Sequence, residues 1–302
     1  MRKTYGANTA VDGVSFAIDA GEVFGLLGPN GAGKSTTINI IATLLHADAG
    51  SVTACGIPST RTDAYKRVLG YVPQEISLAD RLTARENLHL VGRLYDLAAG
   101  ALRARTDELL DLVGLRDRAD DLVQTYSGGM KRRLNIAAAL LHGPRLLLMD
   151  EPTAGVDPHA RAYIFDLVER LASEGRAVLY TTHYMEEAQR LCRRTAIIDR
   201  GRILAMGTLT ELTGRVAAKR DLALQGRGLT PASVAKLAVS MGGLPWTLDG
   251  DTAHLSISGS REAILAAARH AGEAGIEPTS IRLNEPNLET VFLKLTGRAL
   301  RD

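Results

Sequence analysis

Gly28-Pro29-Asn30-Gly31-Ala32-Gly33-Lys34-Ser35-Thr36-Thr37 packs three glycines, an asparagine, a lysine and three hydroxyl side chains into ten residues. A hydrophobic core has no use for such a stretch. Before it, Glu22-Val23-Phe24-Gly25-Leu26-Leu27 reads as a short buried strand. After it, Ile38, Ile41, Leu44 and Leu45 recur at helical spacing. Strand, glycine loop and helix in that order form an anion cradle. Glycines let backbone N–H groups converge, and the helix start adds unpaired donors and the positive end of its dipole. The spacing Gly28-x-x-x-x-Gly33-Lys34-Ser35 is the P-loop pattern, in which Lys34 reaches the β- and γ-phosphates and the Ser35 hydroxyl ligates Mg²⁺. The plainer alternative, a glycine-rich turn beside a chance Lys-Ser pair, does not explain the flanking strand and helix.

The 302 residues are enough for two domains, and 45% hydrophobic with 23% charged residues describes an ordinary globular chain. A net charge of +2 with no long basic run argues against a nucleic-acid partner. Cys55 and Cys192 are far apart, so neither a disulfide framework nor a zinc site is expected, and a reducing cytoplasm is the simplest compartment. The chain has no apolar run of membrane-spanning length and no signal-peptide layout, so if it works at a membrane another chain must supply the spanning helices.

Residues 11–27 are expected to form strands, with Val14, Phe16 and Ile18 on one face. Further strands are expected at Gly50–Thr53 and at Leu69–Gln74, the latter stopped by Pro73. Residues 83–143 read as helical almost throughout, with Gly114 ending one helix. The wholly apolar Leu146-Leu147-Leu148-Met149 marks a strand covered on both faces. A helix carrying Ile164, Leu167, Val168 and Leu171 follows, then strand Ala177–Thr182, a short helix and strand Thr195–Ile198. The expected core is an α/β cassette, residues 1–215, with a mostly parallel sheet, additional antiparallel strands and a helical subdomain over about 78–143. Beyond it, the order βαββαβ across 216–302 suggests a small α+β ferredoxin-like module.

Asp150-Glu151 follows the apolar strand directly, which puts both carboxylates at the ligand-binding edge of such a sheet. There Asp150 is suited to hold Mg²⁺ and Glu151 to polarise an attacking water. The alternative is two acids favouring the next helix start, worth about 0.3–1 kcal/mol each. His183 closes another strand and can contact a γ-phosphate or fix the water. Gln74, beyond Pro73, can contact Mg²⁺ or the same water. Alone, neither says much. Ser127-Gly128-Gly129 precedes a helical run and is a second anion-binding helix start. Taken alone it reads as an N-cap with a glycine turn. If it does bind phosphate, the economical arrangement is a dimer in which it closes over the partner's P-loop.

The ordered set resembles the nucleotide-binding subunit of an ABC transporter across residues 1 to about 215. The Walker A motif matches Gly28 through Thr36, including Pro29, Asn30, Gly31 and Ala32. The Q-loop matches Gln74, the signature Ser127-Gly128-Gly129, Walker B Leu146–Asp150, the catalytic glutamate Glu151, the D-loop Gly155-Val156-Asp157 and the H-loop His183. The resemblance implies a P-loop NTPase cassette with ATP and Mg²⁺ as cofactors. Catalysis would fall to Glu151, His183, Gln74 and Lys34, with Ser35, Gln74 and Asp150 at the metal. It also implies a homodimer sandwiching ATP and a separate permease engaged through the Gln74 region and the helical insertion. The location is then the cytoplasmic face of the membrane.

Two departures stand out: Tyr126 replaces the usual leucine before the signature serine, and Met130 stands where glutamine is common. Ser127 and Gly129 are in place, so activity is expected to survive. Tyr5 fits the adenine-stacking aromatic, but only four residues precede it, so the first edge strand is expected to be missing or truncated. The ending Asn284–Arg298, "NEPNLETVFLKLTGR", resembles the daunorubicin-resistance type of exporter ATPase, and puts Leu288, Val291, Phe292 and Leu295 on one docking stripe. The rival reading is a soluble ABC ATPase acting on nucleic acid or ribosomes. The single cassette, low positive charge and lack of extended heptads disfavour it.

Overall fold

The computed structural model describes residues 1–216, 220–257, 261–284 and 287–296. The chain divides into two units, with the break after Thr208. The first opens with an antiparallel hairpin, β1 (Arg2–Tyr5) and β2 (Asn8–Asp12). The first strand is therefore present, though only four residues long. β3 (Val23–Leu27) is buried throughout and feeds α1 (Lys34–Ile41). A short pair, β4 (Thr53–Ala54) and β5 (Ile57–Pro58), leads through α2 (Thr62–Arg67) to β6 (Leu69–Val72). The helical stretch contains α3 (Ala84–Leu94), α4 (Ala99–Leu112) and α5 (Gly128–Leu140). α3 starts in a capping box made by Thr83 and Glu86. The α/β alternation resumes with β7 (Leu146–Asp150), α6 (Pro158–Ser173), β8 (Ala177–Thr182), α7 (Met185–Leu191), β9 (Arg194–Asp199) and β10 (Arg202–Gly207).

The main sheet has the order β10-β9-β3-β8-β7-β6, parallel except for the edge strand β10. Its two faces bury alternate residues. Leu147, Met149, Val178 and Tyr180 pack with the helices α3 to α6. Leu148, Leu179, Phe24 and Leu26 join Ile38 and Ile41 of α1 on the other side. A sheet covered on both sides explains why β7 is apolar at every position before its carboxylate. The pairings Leu27↔Thr182, Asp150↔Thr181 and Val72↔Met149 align the carboxyl ends of four strands. Gly28, Gln74, Glu151 and His183 consequently leave the sheet at one edge.

Two expectations are corrected. Residues 13–22 form no strand. Val14 is buried and exchanges backbone hydrogen bonds with Met1 at 2.7 and 3.1 Å, and Phe16 stacks on Phe24 at 5.0 Å between ring centroids, so one local backbone pair and side-chain packing hold this segment. The strand placed at Gly50–Thr53 shrinks to Thr53–Ala54.

The second unit contains α8 (Leu209–Val216), β11 (Arg220–Arg227), α9 (Pro231–Ser240), β12 (Trp246–Asp249), β13 (Thr252–Ile257), α10 (Arg261–Glu273), β14 (Glu277–Asn284) and α11 (Leu288–Thr296). The sheet order β12-β13-β11-β14, antiparallel throughout, is that of a ferredoxin-like βαββαβ module. α9 begins at Thr230 with a capping box and proline at its first turn. Leu222, Leu224, Leu237, Leu255 and Ala267 form its core. α8 packs on α11, where Leu288, Val291 and Phe292 are buried while Leu295 is exposed. Leu295 thus leaves the stripe read from the sequence. Glu285, Pro286 and residues 297–298 of that ending lie outside the described residues.

Candidate nucleotide site

The P-loop runs between β3 and α1 under tight steric control. A Cβ on Gly28 would lie 2.3 Å from the Ile198 carbonyl oxygen, and one on Gly33 2.4 Å from that of Ala10. Gly33 also has φ of +105°, a left-handed conformation suited to glycine. Both positions therefore need glycine, one to let strands close and one to turn the chain into the helix. Lys34 is buried, and its ammonium donates to the carbonyls of Gly28 at 2.8 Å and Pro29 at 3.1 Å.

Above this loop lies a cavity of about 670 Å³ lined by Tyr5, Asn30, Gly31, Gly33, Lys34, Ser35, Thr36, Gln74 and Glu151. Its remaining walls are Asn8, Thr9, Ala10, Arg200 and Gly201, from the β1–β2 hairpin and the β9–β10 turn. Those five were not picked out from the sequence. Arg200 has φ of +48° in the turn between β9 and β10. Tyr5 is half exposed at the end of β1, with Lys3 Nζ 5.7 Å from its ring centre.

Glu151 is the hub of the polar side. Its Oε1 lies 3.0 Å from Lys34 Nζ, and Gln74 Nε2 donates to Oε2 at 3.4 Å. His183 Nδ1 comes within 3.2 Å of Oε2 without making a hydrogen bond. Glu151 has φ of +44°, an uncommon conformation for a side-chain-bearing residue and one that concentrates at functional sites. Thr181 supports the turn. Its hydroxyl donates to Asp150 Oδ1 at 2.7 Å and accepts from the Glu151 N–H at 3.0 Å. Burial pushes the Asp150 carboxyl up, against the opposing pull of hydrogen bonds from Thr181 and Ser35. A buried carboxylate and a serine hydroxyl side by side offer hard oxygen donors, the set that suits Mg²⁺. Among the described residues no cluster of three His, Cys, Asp or Glu could cage a metal.

The signature residues are elsewhere. Ser127 caps α5, accepting from the Met130 N–H at 3.3 Å, and Asp157 caps α6 through the Ala160 N–H at 2.9 Å. Hydrogen bonds from the backbone, chiefly that of Ala160, hold the exposed Asp157 carboxyl below its ordinary value. A Cβ on Gly129 would lie 2.7 Å from Ala160 Cβ and 3.5 Å from Asp157 Oδ2, so the α5 and α6 starts abut. None of Ser127, Gly128, Gly129 or Asp157 lines the cavity of its own chain.

Residues 11–154 match the ABC transporter family. Over its full length the chain is 45% identical to the linearmycin resistance ATP-binding protein LnrL of Bacillus subtilis, covering 98% of that protein. It is 42% identical to the daunorubicin resistance ATP-binding protein DrrA3 of Streptomyces coeruleorubidus, with 98% of this chain and 93% of the relative covered. The chain belongs to the ABC transporter family. It shares 41% identity with the Nod factor export ATP-binding protein I of Ralstonia nicotianae, covering 100% of this chain and 94% of that one. Among solved structures, a dimeric post-hydrolysis ATP-binding cassette bound to ADP and Pi matches with a TM-score of 0.62 at 29% identity. That match covers 68% of this chain and 94% of the other. The ATP-binding subunit of another ABC transporter matches with a TM-score of 0.65 at 32% identity, over 71% and 90% of the two chains. This ABC subunit binds ATP and is a transport-coupled ATPase. The reading as a soluble ATPase acting on nucleic acid or ribosomes is not favoured.

Proposed function

We propose that the chain energises efflux of an antibiotic or drug-like compound through a separate permease, as a peripheral subunit on the cytoplasmic face of the membrane. No described helix is long and apolar enough to cross a membrane, and in this reading the translocation path is formed by the partner. The convergence of Lys34, Gln74 and Glu151 on one cavity above the P-loop is the observation that carries the reading. Two copies bind two ATP molecules head to tail, with Tyr5 against adenine and Gly28 through Thr36 around the phosphates. Ser127, Gly128 and Gly129 of one copy, with Asp157 nearby, close over the nucleotide of the other. Their position outside the cavity of their own chain fits that role.

Ser35, Asp150 and Gln74 would hold Mg²⁺, which would neutralise charge on the transferring phosphoryl group. Glu151 orients the attacking water, His183 stands beside it, and Lys34 binds the γ-phosphate. Phosphoryl transfer asks a protein mainly for positioning and electrostatics, which strand ends and helix starts supply. The test is light scattering of purified Glu151→Gln with and without MgATP, alongside phosphate release from the wild-type chain. Dimerisation of the variant only with MgATP, and turnover only by the wild type, is the expected pair of results.

A further inference from the structure

Arg132 is buried on the second turn of α5, only 4% exposed. Two backbone carbonyls, rather than a carboxylate, receive its guanidinium: Nη1 donates to Pro73 O at 2.8 Å and Nη2 to Gln74 O at 2.6 Å. Burying an arginine on uncharged acceptors is costly, because carbonyl dipoles replace its hydration only in part. Burial accordingly draws its pKa below the ordinary value. The same face of α5 makes two more links to this segment. Lys131 pairs with Asp80 at 2.7 Å, and the Asn135 side-chain oxygen accepts from the Ser77 N–H at 3.4 Å. Residues 73–79 have no helix or strand of their own. The Gln74 backbone is thus tied to α5, the helix that Ser127 caps.

We infer that Arg132 is a positioning residue that holds the Gln74 backbone to the signature helix, so that the reach of Gln74 to Glu151 depends on where that helix stands. The fork of a guanidinium matters here, since its two N–H directions fit two successive carbonyls, whereas an ammonium is a point donor. When α5 shifts to engage the partner's nucleotide, the carbonyls of Pro73 and Gln74 shift with it. The Gln74 amide is then carried relative to Glu151. The inference rests on Glu151 as the residue that orients water.

The test is a double-mutant cycle on the full chain, Arg132→Met with Gln74→Ala, reading kcat, KM and a directly titrated ATP affinity. Misplacing a catalytic contact can cost up to about a hundredfold, so Arg132→Met is expected to lower kcat at least tenfold with ATP affinity within about twofold. Added to Gln74→Ala, it is expected to lower kcat by no more than about twofold further, because both act through one contact. Full additivity of the two losses would overturn the inference, as would a loss confined to thermal stability. Arg132→Lys keeps the buried charge and guards against misfolding of the methionine variant. It is expected to fold and still lose most of kcat; wild-type kcat in Arg132→Lys would also overturn the inference. Glu151→Gln in parallel separates the two levels. Wild-type turnover there defeats the reading of Glu151, while additivity of the cycle with Glu151→Gln inactive defeats only the role of Arg132.

Discussion

Lys34 Nζ lies 3.0 Å from Glu151 Oε1, and both side chains are buried. The cation of the P-loop and the carboxylate that ends β7 neutralise one another across the cavity. In the proposed cycle a triphosphate would give Lys34 a more highly charged partner and free Glu151 to orient water. Glu151→Gln is therefore expected to retain ATP binding and ATP-driven dimerisation. Loss of a general base typically costs about 10²–10⁴-fold, so phosphate release should fall by at least a hundredfold. Wild-type turnover in this variant would show that another group orients the water.

The separation of Ser127 from its own cavity makes a second expectation concrete. Ser127→Arg and Lys34→Ala should each be inactive as homodimers. Mixing them at equal amounts should restore one intact composite site in the mixed dimers, about half of the population by random pairing. Activity that stays absent over a range of mixing ratios would contradict closure in trans.

Asp150 gives a pH-dependent prediction. Burial raises its carboxyl pKa in the folded chain. Its contribution to stability is then fullest below the unfolded value, near 3.9, and is lost as pH rises through the folded value. Asp150→Asn should raise Tm at pH 7–8, and that advantage should shrink as pH falls toward about 4. The same variant should lose Mg²⁺-dependent turnover. A Tm difference independent of pH would show that the carboxylate is not the source of the strain.

Glu22 and Arg194 offer the opposite sign. Glu22 is buried, which by itself disfavours its charge. The Arg194 fork, at 2.7 Å to both oxygens, and the Asp19 N–H outweigh burial and hold the carboxyl below its ordinary value. That stability is present above the unfolded pKa, about 4.3, and is lost as pH falls through the folded value. Arg194→Ala strands a buried carboxylate and should cost about 3 kcal/mol at pH 7. The penalty should narrow toward pH 4, as read by urea unfolding at the two pH values.

Thr181→Val removes a hydroxyl that serves both carboxylate residues. It leaves Asp150 short of a donor and the Glu151 N–H short of an acceptor. An unsatisfied buried group costs about 1–3 kcal/mol, so lower stability and a higher Mg²⁺ requirement for half-maximal turnover are expected. An unchanged Mg²⁺ requirement would separate Thr181 from the metal site.

Much of this site was legible because its parts are local. The P-loop needs glycine at fixed spacing before a helix, and Asp150-Glu151 needs an apolar strand immediately upstream, so both leave contiguous signatures. The four residues converging at the sheet edge, Gly28, Gln74, Glu151 and His183, each follow a strand that can be read by itself. Thr181, Arg132 and Arg200 went unread. A threonine in a strand, an arginine in a helix and a turn arginine carry no local pattern; Thr181 and Arg132 act on partners 30 and 58 positions away, and Arg200 is known only by its place on the cavity wall. The segment 13–22 departs from its expected strand because alternating Val14, Phe16 and Ile18 satisfies a strand pattern, whereas these side chains bury against the core with backbone pairing only at Val14.

The sequence by itself determined the kind of chemistry and the class of fold. Residue types at fixed spacing define a phosphate cradle, and the apolar periodicities define the sheet, the helical insertion and the second α+β unit. Tertiary structure alone decided which groups meet. It set the strand order that brings Gln74 to Glu151, the ion pair of Glu151 with Lys34, and the hold of α5 on the Gln74 backbone. Strand periodicity reports the face on which a residue sits but not its neighbour, because neighbours are fixed by how distant segments pack.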